Sequence, residues 1–249
     1  MTAPTAAVLV IGDEILSGRT QDTNTGTIAR WLGEIGVDVR EARTVPDTEA
    51  AIVSAVNALR TAYTYLFTTG GIGPTHDDIT ADSIAAAFGT GISHHPEALA
   101  ILEPRYRPGE FTEARRRMAR IPHGAELIHN PVSGAPGFRI GNVFVLAGVP
   151  VVMQAMLEHC RPHIAGGERV QSTTISARVG EGLVAAALGA IQAQYPAVAI
   201  GSYPQFREGR FGASFVLRSR EAEQLARAAD AVRAMVRAAG EEPIEGEFR

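Results

Sequence analysis

The chain has 249 residues, 45% of them hydrophobic, and a formal charge of −4, so it can bury a sizeable core and needs no small-protein staple. The mild negative charge excludes a general attraction to nucleic acid, the single cysteine (Cys160) excludes an internal disulfide, and no apolar run approaches the roughly 20 residues of a membrane span. All 23 basic residues are arginine, which excludes Schiff-base and P-loop lysine chemistry and leaves arginine, a metal ion or backbone amides to meet a phosphate.

The N-terminal "MTAPTAAVLVIG" lacks the basic start and long apolar core of a signal peptide, so a cytoplasmic protein is expected. Short apolar runs then alternate with helix-period segments: a strand at 6 to 12, a helix at 23 to 35, a strand at 37 to 42, a helix at 48 to 61 and a strand at 63 to 70. Successive βαβ units of this kind predict an α/β domain with a mostly parallel sheet. A helix from Asp78 to Phe88 with Gly89 as its C-cap follows, then helical stretches at 96 to 103 and 111 to 119. The strands "AELI", "GFRIG" and "VFVLAG" and a helix from Val151 to His163 complete a first domain, 1–167. The remainder, 168–249, reads as a small α+β subdomain: strand 170 to 178, helix 181 to 194, strands 197 to 202 and 211 to 218, helix 220 to 239 and a solvated tail.

The stretch "TTGGIGPTHDDITADS" is the most informative in the chain. It follows a predicted strand, and ligand crevices of open α/β sheets lie beyond the carboxyl ends of the strands. Gly70, Gly71 and Gly73 let the backbone approach a ligand closely, and the helix opening after Asp77 offers unpaired N–H groups to an anion. Asp77 and Asp78 are open to two readings, as helix caps or as metal ligands. A second acidic cluster, in "GDEILSGRTQDTNT", favours the metal: Asp13, Glu14, Asp22 and Asn24 follow the first strand and belong at the same sheet end. Clustered hard oxygen ligands beside a phosphate site suit Mg²⁺ or a similar cation.

These two motifs closely resemble the molybdopterin-binding-like (MoaB/Mog) domain, in the version found in the competence/damage-inducible protein A (CinA) family and at the N-terminus of eukaryotic FAD synthase. Residues 170 to 239, notably "AIGSYP", resemble the small KH-type middle domain of CinA proteins. The resemblance implies a three-layer α/β/α domain that binds molybdopterin or a dinucleotide and, in the CinA and FAD synthase versions, hydrolyses a pyrophosphate bond. ADP-ribose and FAD are the implied substrates, with a divalent metal (Mg, Mn or Co) and potassium as cofactors and a homo-oligomer as the assembly. Carried over by position, Asp77, Asp78 and His76 are the catalytic candidates. Gly70, Gly71, Gly73, Thr75, Thr80, Asn24 and Gly148 are the candidates for substrate and phosphate, and Asp13, Glu14, Asp22, Asp77 and Asp78 those for metal.

His76 stands where most CinA relatives carry lysine, and is open to four roles: metal ligand, donor to phosphate, general base, or a hydrogen bond within the loop. Two departures bear on substrate identity: "LAGVP" (146 to 150) has Ala147 for the family's proline, and "SGAPGF" (133 to 138) lacks its threonine. The leading expectation is therefore a metal-dependent nucleotide pyrophosphatase. The alternatives are a molybdopterin-binding or molybdopterin-adenylylating protein and a non-catalytic nucleotide-binding module.

Several other features read more plainly. His159, Cys160 and His163 are expected to form a solvent-facing C-terminal helical turn rather than a zinc site, and His94 and His95 a surface loop. Arg116 and Arg120 fall four apart on the expected helix "EARRRMAR" (113 to 120), as a solvated face or as phosphate contacts. Trp31 fits the apolar pattern of Ile28, Leu32 and Ile35. With no GxxG loop and no basic stripe in 170 to 239, RNA binding is not expected.

Overall fold

The computed structural model describes residues 3–207 and 210–248, and the chain divides between Gly167 and Glu168 into two compact units. The first unit contains β1 (Thr5–Ile11), a single turn α1 (Asp13–Leu16), α2 (Asn24–Glu34), β2 (Asp38–Val45), α3 (Glu49–Ala62), β3 (Tyr65–Thr69) and α4 (Thr80–Phe88). It continues through β4 (Ile92–His94), α5 (Pro96–Leu102), α6 (Glu113–Arg116), β5 (Arg120–Pro122), β6 (Glu126–Ile128), β7 (Gly137–Ile140), β8 (Val143–Leu146) and α7 (Pro150–Cys160).

Six strands form one sheet in the order β2-β1-β3-β8-β7-β6. The pairs among β2, β1, β3 and β8 are parallel, and β7 runs against both β8 and β6. Alternate residues of β1 enter opposite cores: Ala7, Leu9 and Ile11 face α3 and α4, whereas Ala6, Val8 and Val10 face α2 and α7. β8 divides likewise, Val143 and Val145 against Phe144 and Leu146. A strand buried on both faces has no polar side, which is why these segments read as continuous apolar runs. Phe67 and Phe144 stack at 4.8 Å on the α2/α7 face, and Trp31 meets Phe67 edge-on while its indole N–H donates to Glu158. The outer strand β2 instead carries the ion pairs Arg40–Asp38 and Arg43–Glu41, charges that blunt an exposed sheet edge.

This order creates a switch point. From β1 the chain passes through α2 to β2 on one side, and from β3 it leads towards β8 on the other, so the loops after β1 and β3 diverge and open a crevice.

Several elements differ from the sequence expectation. α4 begins at Thr80, not Asp78, because Asp78 is engaged in a turn with Thr75 and neither aspartate caps the helix. The stretch at 111 to 119 is one α-turn and a 3-10 turn, after which Arg120 opens β5; Arg116 and Arg120 therefore share no helix face. His94 is not in a loop but in β4, paired antiparallel with β5. The helix expected to reach His163 ends at Cys160 and gives way to a 3-10 turn at Arg161–His163.

The second unit comprises β9 (Gln171–Ala177), α8 (Glu181–Gln194), β10 (Ala199–Arg207), β11 (Arg210–Ser219), α9 (Ala222–Ala238) and β12 (Ile244–Glu245). Its antiparallel sheet has the order β10-β11-β9-β12. Leu225, Ala228, Val232 and Val236 recur on the buried face of α9 at helical spacing and meet Ile175, Phe215 and Leu217 of the sheet. The tail is not merely solvated: β12 pairs with β9, and Glu245 accepts a two-point hydrogen bond from Arg233.

Candidate functional site

The loops after β1, β2, β3 and β8 meet at one end of the sheet. Gly70 has φ 104°, and a Cβ there would lie 2.1 Å from the Ile11 carbonyl oxygen, so only glycine lets β3's exit cross β1's. Gly71 is also left-handed, and its missing side chain leaves room for Thr80. The Thr80 hydroxyl donates to the Gly70 carbonyl at 2.9 Å and its amide to Gly71 at 3.0 Å. Fully buried, Thr80 fastens the loop to α4 and offers nothing to a ligand, a correction to its reading as a phosphate contact.

Asn24 is 5% exposed at the start of α2. Its side-chain amide donates to the Gly148 carbonyl at 2.7 Å and to the Thr69 hydroxyl at 3.3 Å, while its Oδ1 is buried without a partner. Asn24 thereby ties the loop before α2 to those after β3 and β8, around a hollow of about 370 Å³ lined by Glu14, Ile15, Asp22, Asn24, Thr69, Gly70, Gly148 and Pro150.

The expected metal set is not assembled. Among the described residues no three of His, Cys, Asp and Glu converge as metal ligands. Asp22 accepts from the Asn24 and Thr25 amides and so braces the start of α2. Asp78 accepts from both the amide and the hydroxyl of Thr75, with the Thr75 amide at 2.8 Å, and braces the glycine loop. Asp77, which shares the single Thr75 hydroxyl proton with Asp78, is held below the usual carboxylate range chiefly by that bond. His76 points into solvent 3.9 Å from Asp77, with 99% of its side chain exposed.

One carboxylate of this cluster escaped the sequence reading. The register Ile11↔Val45 sets Asp47 beside Asp13, whose amide donates to the Asp47 carboxylate at 2.8 Å. Burial pushes the Asp47 carboxyl above its usual range, and the charges of Asp13, Glu14 and Asp77 push the same way. Four acidic groups thus crowd the end of β1 and β2 beside the glycine loop. Oxygen-only donors at high negative charge density fit a hard divalent cation. Mg²⁺ is commonly held by one or two carboxylates plus substrate phosphates rather than by a protein cage, so such an ion needs no preformed three-ligand set.

Beyond Gly71 and Gly73 lies a second hollow of about 320 Å³, lined also by Asp78, Asp82, Arg117, Arg120, Met118 and Phe138. Arg120 holds both oxygens of Asp82, at 2.9 and 2.7 Å. Arg116 is elsewhere, exposed over the Phe111 ring.

Three of the remaining histidine candidates have side-chain partners, whereas the Nδ1 of His95 is buried without one. His159 meets His129 edge-on, His163 lies 3.7 Å from Glu126 and His94 3.6 Å from Glu113. Buried Cys160 has its thiol pushed up to about 12.

A mostly parallel sheet with a glycine loop and carboxylates at its switch point is an open α/β architecture of the kind whose ligand crevices lie at that point. The chain belongs to the MoaB/Mog-like molybdopterin-binding family: the family model described as a probable molybdopterin binding domain matches residues 7–165. Residues 169–243 match the model for the FAD synthase middle domain.

A CinA-like protein of Citrifermentans bemidjiense is 46% identical over 158 residues, 61% of this chain and 38% of that protein. The match thus spans well under half the length of that relative. A protein of Archaeoglobus fulgidus is 32% identical over 198 residues, covering 80% of this chain and 85% of its own length. Among solved structures, the protein CinA with unknown function from Thermoplasma acidophilum superimposes with a TM-score of 0.62 at 35% identity, over 66% of this chain and 99% of that one.

Proposed function

We propose that the first unit is a divalent-metal-dependent pyrophosphatase of a nucleotide such as ADP-ribose or FAD. The observation that carries this reading is the grouping of Asp13, Glu14, Asp47 and Asp77 beside a glycine loop at the switch crevice, with the Asp13 amide donating to the Asp47 carboxylate at 2.8 Å. A cation held there would relieve their mutual repulsion, and substrate phosphates would complete its ligands. Asp77 and the Asp13/Asp47 pair would hold the ion, which neutralises phosphate charge and makes a bound water more acidic.

The chain's own groups do the rest. The amides of Gly71, Ile72 and Gly73 would hold the departing phosphate, and Asn24 fixes the crevice wall through Gly148. Asp78 keeps the glycine loop in shape through Thr75, a bracing role rather than a metal ligand's.

The test is hydrolysis of ADP-ribose and FAD with Mg²⁺, Mn²⁺ or Co²⁺, with and without potassium, in the natural protein and in Asp77→Asn and Asp47→Asn. Metal-dependent turnover that falls by on the order of a hundredfold or more in both variants is the expected result. Absence of turnover under every condition would sink the proposal.

The match to a probable molybdopterin binding domain favours a second reading, in which the same crevice takes a pterin phosphate. Quenching of pterin fluorescence on titration with the protein, without any hydrolysis, would select it.

A further inference from the structure

We propose that Arg117 is the side-chain anion clamp of the glycine loop, taking an oxygen of the phosphate group that the Gly71–Gly73 backbone holds. The proposal rests on the reading of that loop as a phosphate site and adds to it the charged residue that it lacks.

With no lysine in the chain, a side-chain cation for phosphate must be arginine. Two arginines line the hollow beyond Gly71 and Gly73. Arg120 is spent on Asp82, both of whose oxygens it binds. Arg117 is held loosely by comparison: its Nη2 lies 3.4 Å from the Asp78 carbonyl oxygen and 3.9 Å from Asp82. Its Nε is buried and has no acceptor.

Asp78 and Asp82 balance the two arginines of the hollow in charge, so what distinguishes Arg117 is its unmet donor. Nε and Nη2 share one edge of the guanidinium, the fork that grips two oxygens of a phosphate. Because both present contacts of Arg117 are long, the group gives up little in turning to an incoming oxygen. The sequence points to Arg116 and Arg120; the break of helix α6 into a 3-10 turn puts Arg117 beside Arg120 at the hollow in place of Arg116.

The test is calorimetric titration of inorganic pyrophosphate and of the methylene-bridged analogue of ADP-ribose, which cannot be hydrolysed at that bond, each with Mg²⁺, into the natural chain and into Arg117→Met, Arg117→Lys and Arg116→Met. Arg117→Met is expected to weaken binding by about ten- to a hundredfold, the scale of one charged hydrogen-bonding group. Arg117→Lys should recover part of it, and Arg116→Met, which removes the same charge one residue away, should bind as the natural chain does.

Equal losses in Arg116→Met and Arg117→Met would reduce the effect to net charge and overturn the proposal. Undiminished binding by Arg117→Met would overturn it while leaving the loop's phosphate role intact. If the natural chain bound neither probe, that underlying role and the proposal would fall together. Melting curves check folding, and if Arg117→Met does not fold, Arg117→Gln, which keeps a donor without the charge, is held to the same outcomes.

Discussion

Asp47 shows how a single side chain can report on its neighbours. Its pKa is raised in the folded protein by burial and by Asp13, Glu14 and Asp77. A carboxyl whose folded pKa lies above its unfolded value stabilises the fold fully only below the unfolded value, and loses that contribution as pH rises through the folded one. At neutral pH the charged carboxylate therefore works against folding. Asp47→Asn should raise the melting temperature at pH 7, with the gain vanishing once the pH falls below the ordinary carboxylate range near about 4. A series of melts from pH 3 to 8 checks this, and a pH-independent difference would refute the electrostatic account. Cys160 offers a simpler case. Burial pushes its thiol up to about 12, so a thiol reagent at pH 8 should label the native chain only in trace amounts and label it fully in denaturant.

At the scale of elements, the glycine loop divides into positions that shape it and positions that serve a ligand. Gly70→Ala forces a left-handed backbone on alanine and drives its Cβ into the Ile11 carbonyl, so denaturant melts should show a loss of more than about 2 kcal/mol. Gly73→Ala differs. Its Cβ would meet the Asp78 carboxylate at 2.6 Å, a side chain that can move, so stability should change less than ligand affinity does. The glycines and the strand before them were legible in the sequence because Leu66 and Phe67 enter opposite cores and leave an unbroken apolar run. Asp47 was not, because the strand before it was read as ending at residue 42 whereas β2 runs to Val45. Only the parallel register with β1, a long-range property, sets Asp47 beside Asp13. β4 and β5, three residues each, are too short to show a period, and β12 is a strand only because β9 offers it an edge.

Across the whole molecule, the two units have cores of their own. Every buried residue of the first unit's two clusters precedes Gly167, and the third cluster is drawn entirely from the second unit. A fragment ending at Gly167 should therefore melt cooperatively by circular dichroism, and failure to do so would show that its stability depends on the second unit. Within that first unit, the bond from Asn24 to the Gly148 carbonyl joins residues 124 apart in sequence. Contacts of such separation carry a large loop-closure cost and form only after the strands between them have paired. The crevice is thus among the last features to take shape as the chain folds, and a ligand that fits it would distinguish finished molecules from compact precursors whose sheet is still incomplete.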